Sequence, residues 1–351
     1  MTYYVLLRDM RIGGSEHIST ALAKILKDNG REVRFICLGE GEGELLTHIS
    51  SDFEVESLGR KRTLTSYSSL TRLMRSRRDA CFFSSLEYVS LLALVVGRRL
   101  NIPVIVRLPN MPGNKLYKGF TAFKWKVIRG LNRLLLKRAQ TIIAQTDSMR
   151  EEAINLYKLP PEKVVTIYNP LDEEMIREKG EEGACPFDTE KVNFLTVANI
   201  AYSKGIDVLL EAFDIVSQSL PNAVLTIVGR DNSKYATDFL SHTRIPDNVV
   251  LAGFQANPYV YMRHCDVFVL PSRMEGFPNV LLEAMCFDKP VACTTCVSVI
   301  RQIVSPGVNG YYCDSDNPQQ LAEIMLKSLQ INHIRNHYEL FDQQRLLSVF
   351  P

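Results

Sequence analysis

The chain has 351 residues, 46% hydrophobic and 23% charged, the proportions of an ordinary soluble globular protein, and its length favours two domains over one. Glycine and proline, at 19 and 16, are too few for a disordered or fibrous chain. The net charge of +2 is unevenly divided: residues 1–150 carry 25 Lys/Arg against 13 Asp/Glu, a net of +12, and residues 151–351 carry 16 against 26, a net of −10. A basic half fits an anionic partner, such as membrane headgroups, a lipid phosphate or nucleic acid. No reader motif or array of stacking aromatics points to nucleic acid. The longest apolar run, near Tyr88 to Val96, ends at Gly97-Arg98-Arg99 and is too short to cross a membrane as a helix. Tyr3-Tyr4-Val5-Leu6-Leu7 opens the chain as a strand, without a leader pattern, so a cytoplasmic protein is expected. The eight dispersed cysteines suit reduced thiols. Cys293-Thr294-Thr295-Cys296 is a lone C-x-x-C without a second ligand pair, and His333 and His337 lack a third ligand. Both are expected to be structural or surface features, so no metal and no cofactor is expected.

Taken in order, residues 3–38 predict strand, loop, helix and strand. The loop Arg8 to Gly14 closes on Gly13-Gly14, and Ser15 is a plausible N-cap. Ile18, Leu22, Ile25 and Leu26 make an apolar stripe at helical spacing, and Gly30 ends the helix. Arg60-Lys61-Arg62 with Arg75, Arg77 and Arg78 predict a solvated basic face. Ala80–Phe83 and Val104–Val106 are strands around an apolar helix. Arg107 and Asn110 follow the second, at the strand end that faces the ligand crevice in doubly wound sheets. Residues 115–138 place Phe120, Phe123, Val127, Leu131 and Leu134 at three-to-four spacing among Lys115, Lys118, Lys124, Lys126, Arg129, Arg133, Lys137 and Arg138, with Trp125, the only tryptophan. Two readings stand for this helix: an ordinary one with its stripe on the sheet, or a basic amphipathic helix resting on an anionic inner leaflet, which the cation count favours.

Thr141–Ala144 and Val164–Tyr168 are strands, the second running into Asn169-Pro170, and Glu173 to Phe187 has the composition of a linker. The divisions expected are 1–170, a linker 171–190, a second domain 191–330, and a tail 331–351 that could cross back to the first. The second domain opens with the strand Asn193–Val197, then Asn199, Lys204-Gly205 and a helix from Ile206. The strand Val224–Val228 meets Gly229, and Val249–Gly253 leads to Phe254. Asp266–Leu270 is a buried-looking strand broken by Pro271 and Gly276. Pro278 suits the first position of a helix carrying Val280 to Met285. This strand–loop–helix puts Glu275 in the loop and Glu283 on the helix, about 7.5 Å of helix rise beyond Pro278. Amides at a helix start favour an anion such as phosphate.

Two carboxylates eight apart also fit a turn cap and a solvated helix residue. The full string, Pro271-Ser272 with Glu275-Gly276-Phe277-Pro278 and Glu283-Ala284-Met285, closely resembles the paired-glutamate signature of retaining glycosyltransferases of family four, also called group one. The resemblance covers nearly the whole chain and is strongest from Asn193 to Gly310. It implies an α/β protein of the GT-B fold, two Rossmann-like doubly wound domains facing a cleft. It implies transfer of a sugar from a nucleoside-diphosphate sugar, UDP-sugars favoured, to a glycan or polyprenyl-diphosphate-linked acceptor in bacterial surface polysaccharide synthesis, without metal. Lys204 and Glu275 are the implied catalytic residues. Asn199, Gly229, Phe254, Gly276, Phe277, Pro278, Asn279, Val280 and Glu283 would bind the donor, with Glu283 on the ribose. Gly13 and Gly14 would line the donor–acceptor cleft with Arg107 and Asn110, which replace a histidine common in the family. Asn199 stands where an arginine is usual, and Gln302 where a further glutamate is usual. An epimerase of the same architecture and a degenerate donor-binding module are the alternatives.

Overall fold

The structure, a computed structural model, describes residues 1–11, 13–60, 62–113, 119–231, 233–332, 334 and 338–351, without the side chains of Leu64 and 119–125. The chain divides into two compact units, Met1–Pro170 with Leu340–Pro351, and Leu171–Glu339. The first unit holds seven parallel strands: β1 (Thr2–Leu7), β2 (Glu32–Cys37), β3 (Val55–Ser57), β4 (Ala80–Ser84), β5 (Val104–Arg107), β6 (Thr141–Ala144) and β7 (Val164–Thr166). Their order is β3-β2-β1-β4-β5-β6-β7. Apart from the edge strand β3, the strands are short and mostly apolar, because helices cover both faces of the sheet. Along β1, Tyr4 and Leu6 enter one core with Phe82 and Leu92, while Tyr3, Val5 and Leu7 enter the other with Ile18 and Leu22. That alternation is the two-residue period of a strand.

The second unit holds six parallel strands: β8 (Val192–Val197), β9 (Ala223–Val228), β10 (Val249–Gly253), β11 (Val267–Leu270), β12 (Val291–Thr294) and β13 (Gly310–Cys313). Their order is β10-β9-β8-β11-β12-β13. Phe194, Phe213, Leu225, Val267 and Val269 share one core, and Phe194 meets Phe213 edge-on at 6.0 Å. In each sheet the order reverses once, between β1 and β4 and between β8 and β11. Loops leaving the carboxyl ends of those paired strands diverge there, and such switch points are where ligands bind in open α/β sheets.

Several local expectations are corrected. Gly13, in extended backbone, precedes the helix Gly14–Asp28, so Ser15 lies in its first turn and is not the cap. Pro278 precedes the helix Asn279–Met285 rather than opening it. The segment taken as linker contains the helix Glu173–Gly180, capped by the Asp172 side chain on the Met175 amide. It belongs to the second unit: a Cβ at Gly180 would sit 2.3 Å from the Phe287 ring, so only glycine admits that packing. The last helix, Gln343–Val349, packs on the first unit. Phe350 meets Tyr3 and Phe83 edge-on at 5.3 and 5.4 Å, and Arg31 Nε donates to its carbonyl at 2.8 Å. Lys61, Lys115, Lys118, His333 and His337 lie outside the described residues, as do the side chains of Phe120, Phe123, Lys124 and Trp125.

Candidate active site

The chemistry gathers at the second unit's switch point. The chain leaves β8 through Ala198 and Asn199 and makes a tight turn, Tyr202–Lys204, before the helix Ile206–Ser219. Gly205, between turn and helix, has φ +62°, and a Cβ there would lie 2.1 Å from the Pro271 carbonyl. Only glycine combines that backbone with that approach. The approach presses the β8 loop onto the loop leaving β11. The Arg273 amide donates to Ser203 O at 2.8 Å and the Met274 amide does so at 3.3 Å.

This contact brings Lys204 and Glu275 together across 71 residues of sequence: Lys204 Nζ lies 2.7 and 2.9 Å from the two carboxylate oxygens. Ser272 Oγ donates to Glu275 Oε1 at 2.6 Å. The Ser272 carbonyl in turn accepts from Thr294 Oγ1 at the end of β12. Lys204 keeps 29% of its side-chain surface exposed and Glu275 11%, so the ammonium faces out over a seated carboxylate.

Arg273 fixes the turn beneath them. Its guanidinium forms two 2.7 Å bonds to the Asp207 carboxylate, donates to the Tyr202 carbonyl at 2.8 Å and pairs with Asp316. It also stacks 4.2 Å from the Tyr202 ring centroid. Burial alone would raise the Asp207 carboxyl, but the Arg273 bonds and charge outweigh it and hold the group below its usual range. The same carboxylates raise the Arg273 pKa. Sequence reasoning passed over Arg273, Asp207 and Asp316. Arg273 stands inside the motif, but only its long-range partners reveal its task.

The remaining expected donor residues are placed as follows. Asn199 Oδ1 accepts from the Arg230 amide at 2.9 Å and ties the ends of β8 and β9 together. Gly229 is required by packing, since a Cβ would lie 2.0 Å from Ala198 O. Phe254 is exposed, with the Arg230 guanidinium 4.0 Å above its ring, and Arg230 also escaped the sequence reading. Phe277 is buried and meets Tyr338 edge-on at 6.5 Å. The turn at Gly276, Pro278, Asn279 and Val280 offers fewer amides than expected: Pro278 has none, and the Asn279 amide bonds Phe277 O at 3.0 Å. Glu283 lies half-buried on the helix, and burial pushes its carboxyl up to about 7. Among the described residues no donor reaches that carboxylate. Cys296 stands near Lys204 and Glu275, its thiol pushed up to about 12 by burial. Among the described residues no three His, Cys, Asp or Glu side chains gather as a metal site.

In the first unit, Gly13 and Gly14 lie where the loop from β1 enters the first helix. Glu16 folds back so that a Cβ on Gly13 would be 2.6 Å from its Oε2. Ser19 and Ser85 bond at 2.7 Å across the switch point between β1 and β4. Arg107, expected at a ligand surface, is instead 2% exposed. Its Nη2 donates to Asn169 Oδ1 at 2.6 Å, and Asn169 Nδ2 donates to Gln145 Oε1 at 3.2 Å. Burial lowers the Arg107 pKa to about 9, so the guanidinium stays charged at neutral pH inside a network of amides. Asn110 is exposed on the loop that follows.

Comparison with known proteins identifies the family. Residues 181–342 match the family described as glycosyl transferases group 1, and residues 12–175 match glycosyltransferase family 4. A Campylobacter jejuni N-acetylgalactosamine-N,N'-diacetylbacillosaminyl-diphospho-undecaprenol 4-alpha-N-acetylgalactosaminyltransferase is 25% identical over 78% of this chain and 72% of its own. The Staphylococcus aureus capsular polysaccharide biosynthesis glycosyltransferase CapM is 25% identical over 86% of each chain. The crystal structure of Anabaena HepE in complex with UDP-glucose shares the fold at a TM-score of 0.75 and 18% identity, covering 94% of this chain and 90% of that one. Two parallel sheets of this order are the Rossmann-like halves of a GT-B protein. With the two family matches running almost end to end, the chain belongs to the group 1 glycosyltransferases of family 4.

Proposed function

We propose that this glycosyltransferase moves a sugar from a UDP-sugar to a glycan or a polyprenyl-diphosphate-linked acceptor in surface polysaccharide synthesis, with retention at the anomeric carbon and without a metal. The observation that carries the reading is the Lys204–Glu275 pair, at 2.7 and 2.9 Å, where the β8 and β11 loops meet. The names of the relatives support it: one acts on a diphospho-undecaprenol substrate, one serves capsular polysaccharide synthesis, and a fold neighbour holds UDP-glucose.

In this reading the donor diphosphate lies against the turn Gly276–Val280. Lys204 swings from Glu275 toward the phosphate oxygens and neutralises the charge that grows as the anomeric C–O bond breaks. Glu275, still held by Ser272, orients the sugar and favours a cationic anomeric centre. The acceptor hydroxyl adds from the face the diphosphate leaves, forming the new C–O bond and giving its proton to a departing phosphate oxygen. Glu283, which no donor among the described residues reaches, accepts hydrogen bonds from the ribose. Phe254 under Arg230 offers a flat surface for the base.

The helix Gly119–Leu135 supports a location at the inner face of the cell membrane. Its inward face is Ile128, Asn132 and Leu135, while Val127, Leu131 and Leu134 are 49, 43 and 61% exposed. The expected apolar stripe therefore faces solvent, flanked by exposed Lys126, Arg133, Lys137 and Arg138. Anionic headgroups would satisfy both features.

A thermal-shift screen of nucleotide-sugars tests the donor, because a bound ligand stabilises the fold by mass action. Lys204→Ala is expected to lower kcat/KM about 100-fold or more with the fold intact. Near-normal kinetics in that variant would remove Lys204 from the mechanism. Donor incubated without acceptor separates the runner-up, since an epimerase returns a changed sugar still attached to its nucleotide.

A further inference from the structure

The Glu275 carboxylate has two donors, and they differ in freedom. Ser272 Oγ donates to its Oε1 at 2.6 Å, while Lys204 Nζ donates to Oε1 at 2.7 Å and to Oε2 at 2.9 Å. Among the described residues only Lys204 reaches Oε2. Lys204 is part-exposed on a long, flexible stem. Ser272 is 1% exposed, and its hydroxyl turns about a single bond. The serine is itself fastened. The parallel ladder between β11 and β12 has its last partners at Leu270 and Cys293. Pro271 follows and has no amide with which to continue it. Thr294, the next residue of β12, supplies the missing rung with its side chain, since Oγ1 donates to the Ser272 carbonyl. Thr294 is also 1% exposed, and its backbone stays in register with Cys313 of β13. Its branched Cβ restricts the hydroxyl to few directions. Sheet, Thr294, Ser272 and Glu275 form one line of hydrogen bonds that ends on a single carboxylate oxygen.

We propose that Ser272, anchored by Thr294, is a positioning residue for sugar transfer. It keeps Oε1 when Lys204 moves to the diphosphate, so that Oε2 alone is released toward the sugar and in one fixed direction. Without that bond the carboxylate would follow the ammonium or turn about its own side-chain bonds, and its reach to the sugar would be lost at the moment of transfer. The proposal rests on the glycosyl-transfer reading above, in which Glu275 orients the sugar, and adds what orients Glu275. The diphosphate contacts are not part of this line. Its loss therefore falls on the transferring complex and not on donor binding, and the signature is a lower kcat at unchanged KM.

Initial rates of sugar transfer by the full chain, with isothermal titration of UDP, test it. Ser272→Ala is expected to lower kcat about 10- to 100-fold, the range for losing one hydrogen bond to a charged group, while KM for the nucleotide-sugar and the UDP affinity stay within about twofold. Thr294→Val keeps the shape and loses the hydroxyl, and is expected to lower kcat about fivefold or more, with Thr294→Ser restoring it. In a Glu275→Ala background, Ser272→Ala should lower the residual rate by no more than about twofold further, because the serine acts only through Glu275. An unchanged kcat in Ser272→Ala overturns the proposal. So does a loss carried by KM and UDP affinity, or one that persists in full in the Glu275→Ala background, for Ser272 then supports the loop and not the carboxylate. If Ser272→Ala fails to fold, the two Thr294 variants decide by the same criteria. Failure of the glycosyl-transfer reading looks different: the native chain itself would transfer no sugar from any nucleotide-sugar, and the proposal would fall with it.

Discussion

Replacing Arg273 by methionine removes the guanidinium but keeps a chain of similar length. Four bonds are lost: two to Asp207, one to the Tyr202 carbonyl and the pair with Asp316. A hydrogen bond to a charged group contributes about 1.5–3 kcal/mol. The Arg273 side chain is 10% exposed, but Asp207 is 33% and Asp316 57% exposed. Water therefore compensates much of the loss at the carboxylates. A net cost of about 2–3 kcal/mol follows, a fall in the second unit's melting temperature of roughly 4–12 °C. The pH dependence identifies the cause. Asp207 is held below its usual pKa in the folded state, so its pairing stabilises the fold above the ordinary value of 3.8, and the gain is lost as pH falls through the lowered value. The methionine variant should lack that part of the acid limb. Function follows through position, because Arg273 holds the Tyr202–Lys204 turn by carbonyl and ring. The variant should lose kcat/KM for the donor even at temperatures where it is fully folded. Calorimetry from acid to neutral pH, with initial rates well below the transition, measures both effects. An unchanged melting temperature, or full activity in the folded variant, would refute the clamp.

Glu283, with its carboxyl near 7, should make donor binding tighten as pH rises through neutrality, because the ionised form accepts ribose hydroxyls better. Isothermal titration of UDP should show that slope in the wild type and none in Glu283→Gln; an equal slope in both excludes Glu283. The raised carboxyl also costs stability as pH climbs from 4.5 toward 7, so Glu283→Gln should be more stable above pH 7 and unchanged below 4.5. Gly205→Ala, at φ +62° and facing the Pro271 carbonyl at 2.1 Å, should destabilise the second unit by about 2 kcal/mol or more, and an unmoved urea midpoint would contradict this. Leu131→Asp with Leu134→Asp should weaken binding to vesicles containing anionic lipid, to which each nearby cation contributes about 1 kcal/mol. Equal co-sedimentation of the native chain with neutral and anionic vesicles would count against the docking face. Activity should survive EDTA, and its loss and recovery with a divalent cation would overturn the metal-free reading.

Much of the site lies within one local run. Val267–Leu270, the break at Pro271 and Gly276, and the helix Asn279–Met285 follow from β-branched residues, proline and helix formers within twenty positions. Lys204 and Glu275 could each be picked out by the resemblance to family four, since a place between a strand and a helix by itself suits a surface charge and a turn cap. Their pairing could not, because nothing in either segment encodes contact across 71 residues. Arg273 and Asp316, 43 apart, show the same limit. Arg107 reveals a different one. A charged residue at a strand end reads as exposed, yet the Asn169 amide, itself bonded to Gln145, accepts from it inside the unit.

By itself the sequence determined the alternation of strands and helices, the parallel sheets, and the loops that carry polar groups, because periodicity and backbone-breaking residues act over a few neighbours. Only the tertiary structure decided which faces are buried. The helix Gly119–Leu135 has two candidate stripes, and packing chose Ile128, Asn132 and Leu135 over Val127, Leu131 and Leu134. It also sent the final helix, whose pattern is weak, onto the first unit, where Phe350 meets Tyr3 of β1 and Phe83 of β4. Burial against a distant partner is a property of the assembled core, and no window of sequence contains both sides of it.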